Sequence, residues 1–226
     1  MTGDLESAVR IPAAGVILDG DLVVPANAAG VVLFAHGSGS SRHSPRNRMV
    51  AERLHEAGYA TLLMDLLTPE EDQIDSRTRK FRFDISRLAS RLSGAIGWLS
   101  ERAETASMPL ALFGASTGAA AALIAASEAP DHVRLVISRG GRPDLAGDAL
   151  QRVRTPTLLI VGGRDLEVLD LNKAAAARLA GPVDIAVVPD ATHLFEESGA
   201  LDRVVELALD ALRRHMSGSS SQRPGP

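Results

Sequence analysis

The chain has 226 residues, 45% of them apolar, enough to bury a substantial core within one domain, expected over 1–216. Its net charge of −4 comes from arginines interspersed with acids rather than gathered on a basic face, which argues against a nucleic-acid partner. There is no cysteine, which excludes disulfides, thiolate metal sites and a cysteine nucleophile together.

The N-terminal "MTGDLESAVR" carries acids where a secretory signal has a basic region, and no apolar stretch of signal length comes after it. No run approaches the roughly 18 apolar residues of a membrane span, so no membrane contact and a cytoplasmic location are expected. Short β-rich segments come first: "AVRIP", then "GVILDGDLVVP" with Asp19-Gly20 as a hairpin signal, then "GVVLFAHG" as a continuous apolar strand. After these the chain alternates. "RMVAERLHEAG" has helical spacing and a glycine stop, "YATLLMDLL" reads as a buried strand, and "FDISRLASRLSGAIGWLSERA" repeats apolar residues at intervals of three and four. "LALFGAS" leads into a helix over 117–128, "VRLVIS" into a short helix over 144–151, "TPTLLIVGG" into 168–180, and "VDIAVVP" into 195–216. The final "SGSSSQRPGP" has no residue suited to a core and reads as a flexible tail over 217–226. Near-continuous apolar strands separated by amphipathic helices predict an α/β fold with a mostly parallel sheet, helices on both faces and an antiparallel N-terminal edge.

Sites in such sheets form beyond the carboxyl ends of the strands. Ser116 stands there between Gly114 and Gly118, a Gly-x-Ser-x-Gly pattern. One reading makes Ser116 the N-cap of the next helix. The other makes it a nucleophile on a turn too tight for side chains two positions either side. Two later strand ends favour the nucleophile: one carries Arg164-Asp165 and the next Asp190-Ala-Thr-His193, giving the order serine, acid, histidine. Asp165 could instead cap a helix, Asp144 is its rival as the acid, and Asp190 is better suited to shaping its own short loop. Among six histidines, His55, His132 and His215 occupy surface or boundary positions, and His36 shapes the turn after the first central strand. His193 remains as the base. The oxyanion donors are expected to be the backbone N–H groups of Thr117 and of Ser38 in "HGSG".

The stretches "VVLFAHGSGSSRHSPRNR", "FGASTGAAAAL", "LLIVGGRD" and "VPDATHLFEE", in that order, resemble an α/β-hydrolase of the dienelactone-hydrolase-like group over nearly the whole folded length. Dienelactone hydrolases proper use a cysteine nucleophile, and Ser116 in that place points to general ester chemistry. Similar sequences also occur fused to phosphoribosyltransferase-like domains, and no stretch of this chain reads as one. Only sixteen residues separate "VRLVIS" from "TPTLLIVGG", too few for a helical lid.

Arginines crowd the strand ends. Arg42, Arg139 and Arg142 are candidates for holding a substrate carboxylate or phosphate, against the simpler reading that they are surface charges or partners of Asp65, Glu70 and Glu71. No histidines and carboxylates fall at metal-ligand spacing, and no cofactor is called for. The expected function is a serine hydrolase acting on small carboxylic esters, as a monomer or homodimer. Thioester, lactone or peptide cleavage and a noncatalytic binding module are the alternatives.

Overall fold

In the computed structural model, which describes residues 5–216, the alternating pattern resolves into one eight-stranded sheet. The tail expected over 217–226 lies outside the described residues. The chain runs β1 (Leu5–Ala13), β2 (Val16–Val24), β3 (Val31–Ala35), α1 (Pro45–Glu56), β4 (Ala60–Met64), α2 (Pro69–Thr78), α3 (Ile85–Glu101) and β5 (Leu110–Ala115). It continues through α4 (Thr117–Glu128), β6 (Val133–Arg139), a 3-10 segment (Pro143–Arg152), β7 (Thr157–Gly162), α5 (Leu166–Ala176), β8 (Val183–Val188) and α6 (Ala200–Met216). In space the strands lie in the order β1-β2-β4-β3-β5-β6-β7-β8. β1 and β2 pair antiparallel, as do β2 and β4, and every pairing from β4 to β8 is parallel.

Because side chains alternate across a strand, a strand covered on both faces must be apolar throughout. β3, β4, β5 and β7 are buried at every position. On one face Leu33, Leu62 and Leu112 meet Leu92 and Ile96 of α3 and the alanines of α4. On the other, Phe34, Phe113 and Ile137 meet Val50 of α1 and Val204 and Leu212 of α6. α4 buries Ala119 to Ala122, Ala125 and Ala126, and such small side chains let its axis come close to the sheet.

Two local expectations are corrected. The hairpin turns at Ala14 (φ 47°) and Gly15 (φ 79°), not at Asp19-Gly20, since Ala13 pairs with Val16. Gly20 sits inside β2, where a Cβ would come 2.9 Å from Ile11 Cδ1 and 3.2 Å from the Leu63 carbonyl. Packing against β4 therefore overrides the turn propensity of the dipeptide. The second correction is α2, which the apolar pattern does not announce. Thr68 and Glu71 form a capping box at its start, with Pro69 in the first turn. Glu71 also ties α2 to α3 through Arg91, at 2.8 Å. Elsewhere boundaries shift: α6 begins at Ala200 rather than 195, and the short helix after β6 is a 3-10 segment broken at Gly147 (φ 57°). That segment is the only helical element between β6 and β7, which leaves the carboxyl ends of the neighbouring strands without a helical lid from this connection. Among the described residues no helix is long and apolar enough to cross a membrane.

Candidate active site

β5 lies mid-sheet, and at its carboxyl end the chain must reverse into α4 within one or two residues. Ser116 makes the turn at φ 50° and ψ −122°, a conformation that costs a residue with a side chain roughly 1–3 kcal/mol. The flanking glycines are sterically required. A Cβ on Gly114 would lie 2.4 Å from Ala119 Cα, and one on Gly118 would lie 2.3 Å from the Ala35 carbonyl oxygen. Although Ser116 occupies the N-cap position of α4, its side chain makes no capping hydrogen bond. The capping reading therefore fails, and the hydroxyl is left to face a cleft.

His193 is brought to the same cleft by the loop after β8. Gly162 is the reason this loop can approach, because any Cβ there would stand 2.4 Å from the Ala191 carbonyl oxygen and 2.6 Å from that of Thr192. Phe195, buried at φ 55°, and a bond from the Thr192 N–H to Glu197 Oε1 (3.0 Å) fix the loop further. His193 Nδ1 lies 2.7 Å from Asp165 Oδ2. Asp165 stands at the N-cap position of α5 but makes no capping bond, so its carboxylate is committed to the imidazole. Asp144 is instead held by both ends of the Arg142 guanidinium, at 2.9 and 2.8 Å, and exposed Asp190 pairs with Arg164. With Nδ1 engaged, Nε2 is the nitrogen that can serve a hydroxyl.

The cleft has a volume of about 250 Å³ and is lined by Ser116, His193, Ser38, Ser44, Asn47 and Arg139, among others. Gly37 packs against the elbow, and a Cβ on it would come 3.0 Å from that of Ser116. The N–H groups of Ser38 and Thr117 donate to no other group among the described residues. His36 is buried and holds the base of this loop: Nδ1–H donates to the Gly37 carbonyl (2.9 Å) and Nε2 accepts from the Leu66 N–H (3.0 Å). Burial pushes its pKa below the ordinary 6.5, outweighing the Gly37 bond and the charges of Asp65 and Asp72. A larger groove of about 490 Å³ lies at the opposite end of the sheet, between Val31, Leu110 and Met216, remote from these groups.

The three candidate arginines separate. Arg42 is ion-paired with Asp65 and lies 3.7 Å from Asp21, and Arg142 is held by Asp144; neither lines the cleft. Arg139 does line it, beside Arg46 and Asn47. Its guanidinium reaches Asn47 Oδ1 at 3.2 Å, and its Nη1 has no acceptor among the described residues. Asn47 is a lining residue that sequence reasoning missed; its only local signal is its place in the first turn of a helix opened by Ser44-Pro45.

This strand order, with the serine, acid and histidine following three parallel strands in that sequence, is the plan of the α/β-hydrolases. The family description "Alpha/beta hydrolase domain" matches residues 28–219. A crystal structure of a dienelactone hydrolase from Anabaena variabilis is 54% identical and superposes with a TM-score of 0.92, covering 95% of this chain and 99% of its own. Est1E from Butyrivibrio proteoclasticus, solved with ferulic acid bound, shares the fold at 16% identity and a TM-score of 0.75, over 91% of this chain and all of its own. A Mycobacterium tuberculosis protein named "Putative phosphoribosyl transferase" is 56% identical over 98% of this chain. The match covers 48% of that protein, so the chain spans about half the length of the curated relatives it matches. The chain belongs to the α/β-hydrolase family, in its dienelactone-hydrolase-like group.

Proposed function

We propose that the protein is a serine hydrolase that cleaves small carboxylic esters through an acyl-enzyme intermediate. The observation that carries this reading is the 2.7 Å bond that His193 Nδ1–H donates to Asp165 Oδ2, with His193 sharing the cleft of the strained Ser116. A free serine hydroxyl is a weak nucleophile, so His193 Nε2 takes its proton as Oγ attacks the ester carbonyl. The same proton then passes to the departing alkoxide. Asp165 holds the tautomer that leaves Nε2 unprotonated and stabilises the imidazolium formed during attack. The oxyanion is received by the N–H groups of Thr117 and Ser38, neither of which has another acceptor among the described residues. Water, activated by His193 in the same way, then releases the acid and restores the serine.

The small cleft favours short acyl groups. The transferase name of the longer relatives is not carried over, because this chain matches about half of those proteins. The test is hydrolysis of p-nitrophenyl esters of increasing acyl length, with Ser116→Ala as control. Turnover of the short esters that falls with chain length and vanishes in the variant supports the reading. Equal rates for Ser116→Ala, or better turnover of long-chain emulsified esters, refute it.

A further inference from the structure

We propose that the cleft in front of Ser116 binds a phosphate group of the substrate, with Arg139 at its base, so that the preferred esters are phosphate-bearing. This rests on the hydrolase reading above and names its substrate class. The first support is Arg139 itself. It is only 8% exposed, yet it has no carboxylate in ion-pair reach among the described residues, and Nη1 has no acceptor. Leaving a buried cation uncompensated is strongly unfavourable. The contrast with Arg91 is direct, since that still more deeply buried guanidinium is matched by Glu71 at 2.8 Å. Arg139 is thus a buried cation whose counter-charge none of the described residues supplies.

The second support is what surrounds it. Arg46 stands close enough to add repulsion to burial, and together these push the Arg139 pKa down to about 10. Arg46 has its own partner only in Glu196, which is well exposed and weakly neutralising. α1, twelve residues long and capped by Ser44, starts here at Pro45, so its N-terminal positive end is directed to the same place. No Asp or Glu lines the cleft. The hydroxyls of Ser38, Ser40 and Ser44 join the two arginines as donors, and the groups come from three sides: strand β6, helix α1 and the loop after β3. One guanidinium fork satisfies the two coplanar oxygens of a carboxylate. Donors arrayed on three sides suit the three oxygens of a phosphate.

The test uses three matched substrates: glycerol monobutyrate, its 3-phosphate, and the butyryl ester of glyceric acid, with released butyrate measured. The wild type should prefer the phosphate ester over the neutral one in kcat/KM by about tenfold or more. Arg139→Met should erase that preference, chiefly through KM, because the contact exists before and during reaction alike. Arg139→Lys should keep part of it, and Arg142→Ala should leave the ratio unchanged. If Arg139→Met does not fold, Arg46→Ala, at a half-exposed position, should still reduce the ratio. Binding of glycerol 3-phosphate by calorimetry gives a readout free of turnover. Should no ester be cleaved while glycerol 3-phosphate binds the wild type and not Arg139→Met, the phosphate site stands and the esterase reading falls. A ratio near unity in the wild type, with no binding of glycerol 3-phosphate, overturns the phosphate site alone. Equal preference for the glycerate ester also overturns it, in favour of anions generally.

Discussion

Adding one methyl group at Gly118 sets two effects of opposite sign against each other. Helix propensity alone favours alanine over glycine in α4 by about 1 kcal/mol. The added Cβ, however, would stand 2.3 Å from the Ala35 carbonyl oxygen and 2.6 Å from that of His36, both backbone atoms at the end of β3. Neither oxygen can rotate away, so α4 must retreat from β3 by about 0.7 Å to restore a 3.0 Å contact. Overpacking costs roughly 1–3 kcal/mol, here at the upper end because both clashing atoms are fixed backbone oxygens, and after the helix-propensity gain a net loss of about 2 kcal/mol corresponds to a Tm lower by about 4–8 °C in a chain of this size. The retreat carries Ser116 and Thr117 away from Ser38, and misplacement approaching 1 Å costs turnover roughly a hundredfold. Gly97 is the control: it lies within α3 and nothing stands within 4 Å of its missing Cβ. Gly97→Ala should therefore raise Tm with full activity. Thermal melting and initial rates on a short ester measure both variants. If Gly118→Ala melts as high as Gly97→Ala and turns over like the wild type, the steric account of the elbow is wrong.

Asp165→Asn should lower kcat by about four orders of magnitude while Tm stays near the wild-type value, because the amide stabilises the wrong imidazole tautomer. Asp144→Asn should cost far less, and the reverse ranking would make Asp144 the acid. The depressed pKa of His36 gives stability a pH dependence. Its folded value lies below its unfolded one, so the stabilisation is complete above about 6.5 and is lost as pH falls below it. Protonation would also break the bond that Nε2 accepts from Leu66. The drop in Tm between about pH 7.5 and pH 5.5 should shrink in His36→Gln. An undiminished drop would assign that dependence to other groups.

The parallel sheet was legible because burial on both faces forces unbroken apolar strands, and Val31–Ala35 and Thr157–Gly162 can be read in hardly any other way. The gathering of Ser116, Asp165 and His193 at one end of the sheet was legible for a related reason, since each stands shortly after such a strand. What escaped depended on contacts across the chain. Asp19-Gly20 carries a strong local turn signal, but Gly20 is needed under Leu62 of another strand, while the true turn is announced by Gly15 alone, beside Ala14, a residue that disfavours positive φ. α2 has almost no apolar face, with Ile74 exposed, and only its capping box marks it. The arginines were indistinguishable in sequence. Arg42 is neutralised by Asp65 on the far side of a helix and a strand, and Arg139 is told apart only by having no such partner.

The backbone of Ser116 has a consequence for any attempt to improve this protein. At φ 50° glycine would rest without penalty, so Ser116, the nucleophile of the proposed reaction, is held in place at the fold's expense. On the proposed mechanism, replacing it with glycine would remove the reaction and relax the turn in one step. A library sorted only by heat resistance or expression would therefore enrich inert proteins at this position, and catalytic power would have to be scored directly at every round. Durability and chemistry pull in opposite directions at this residue.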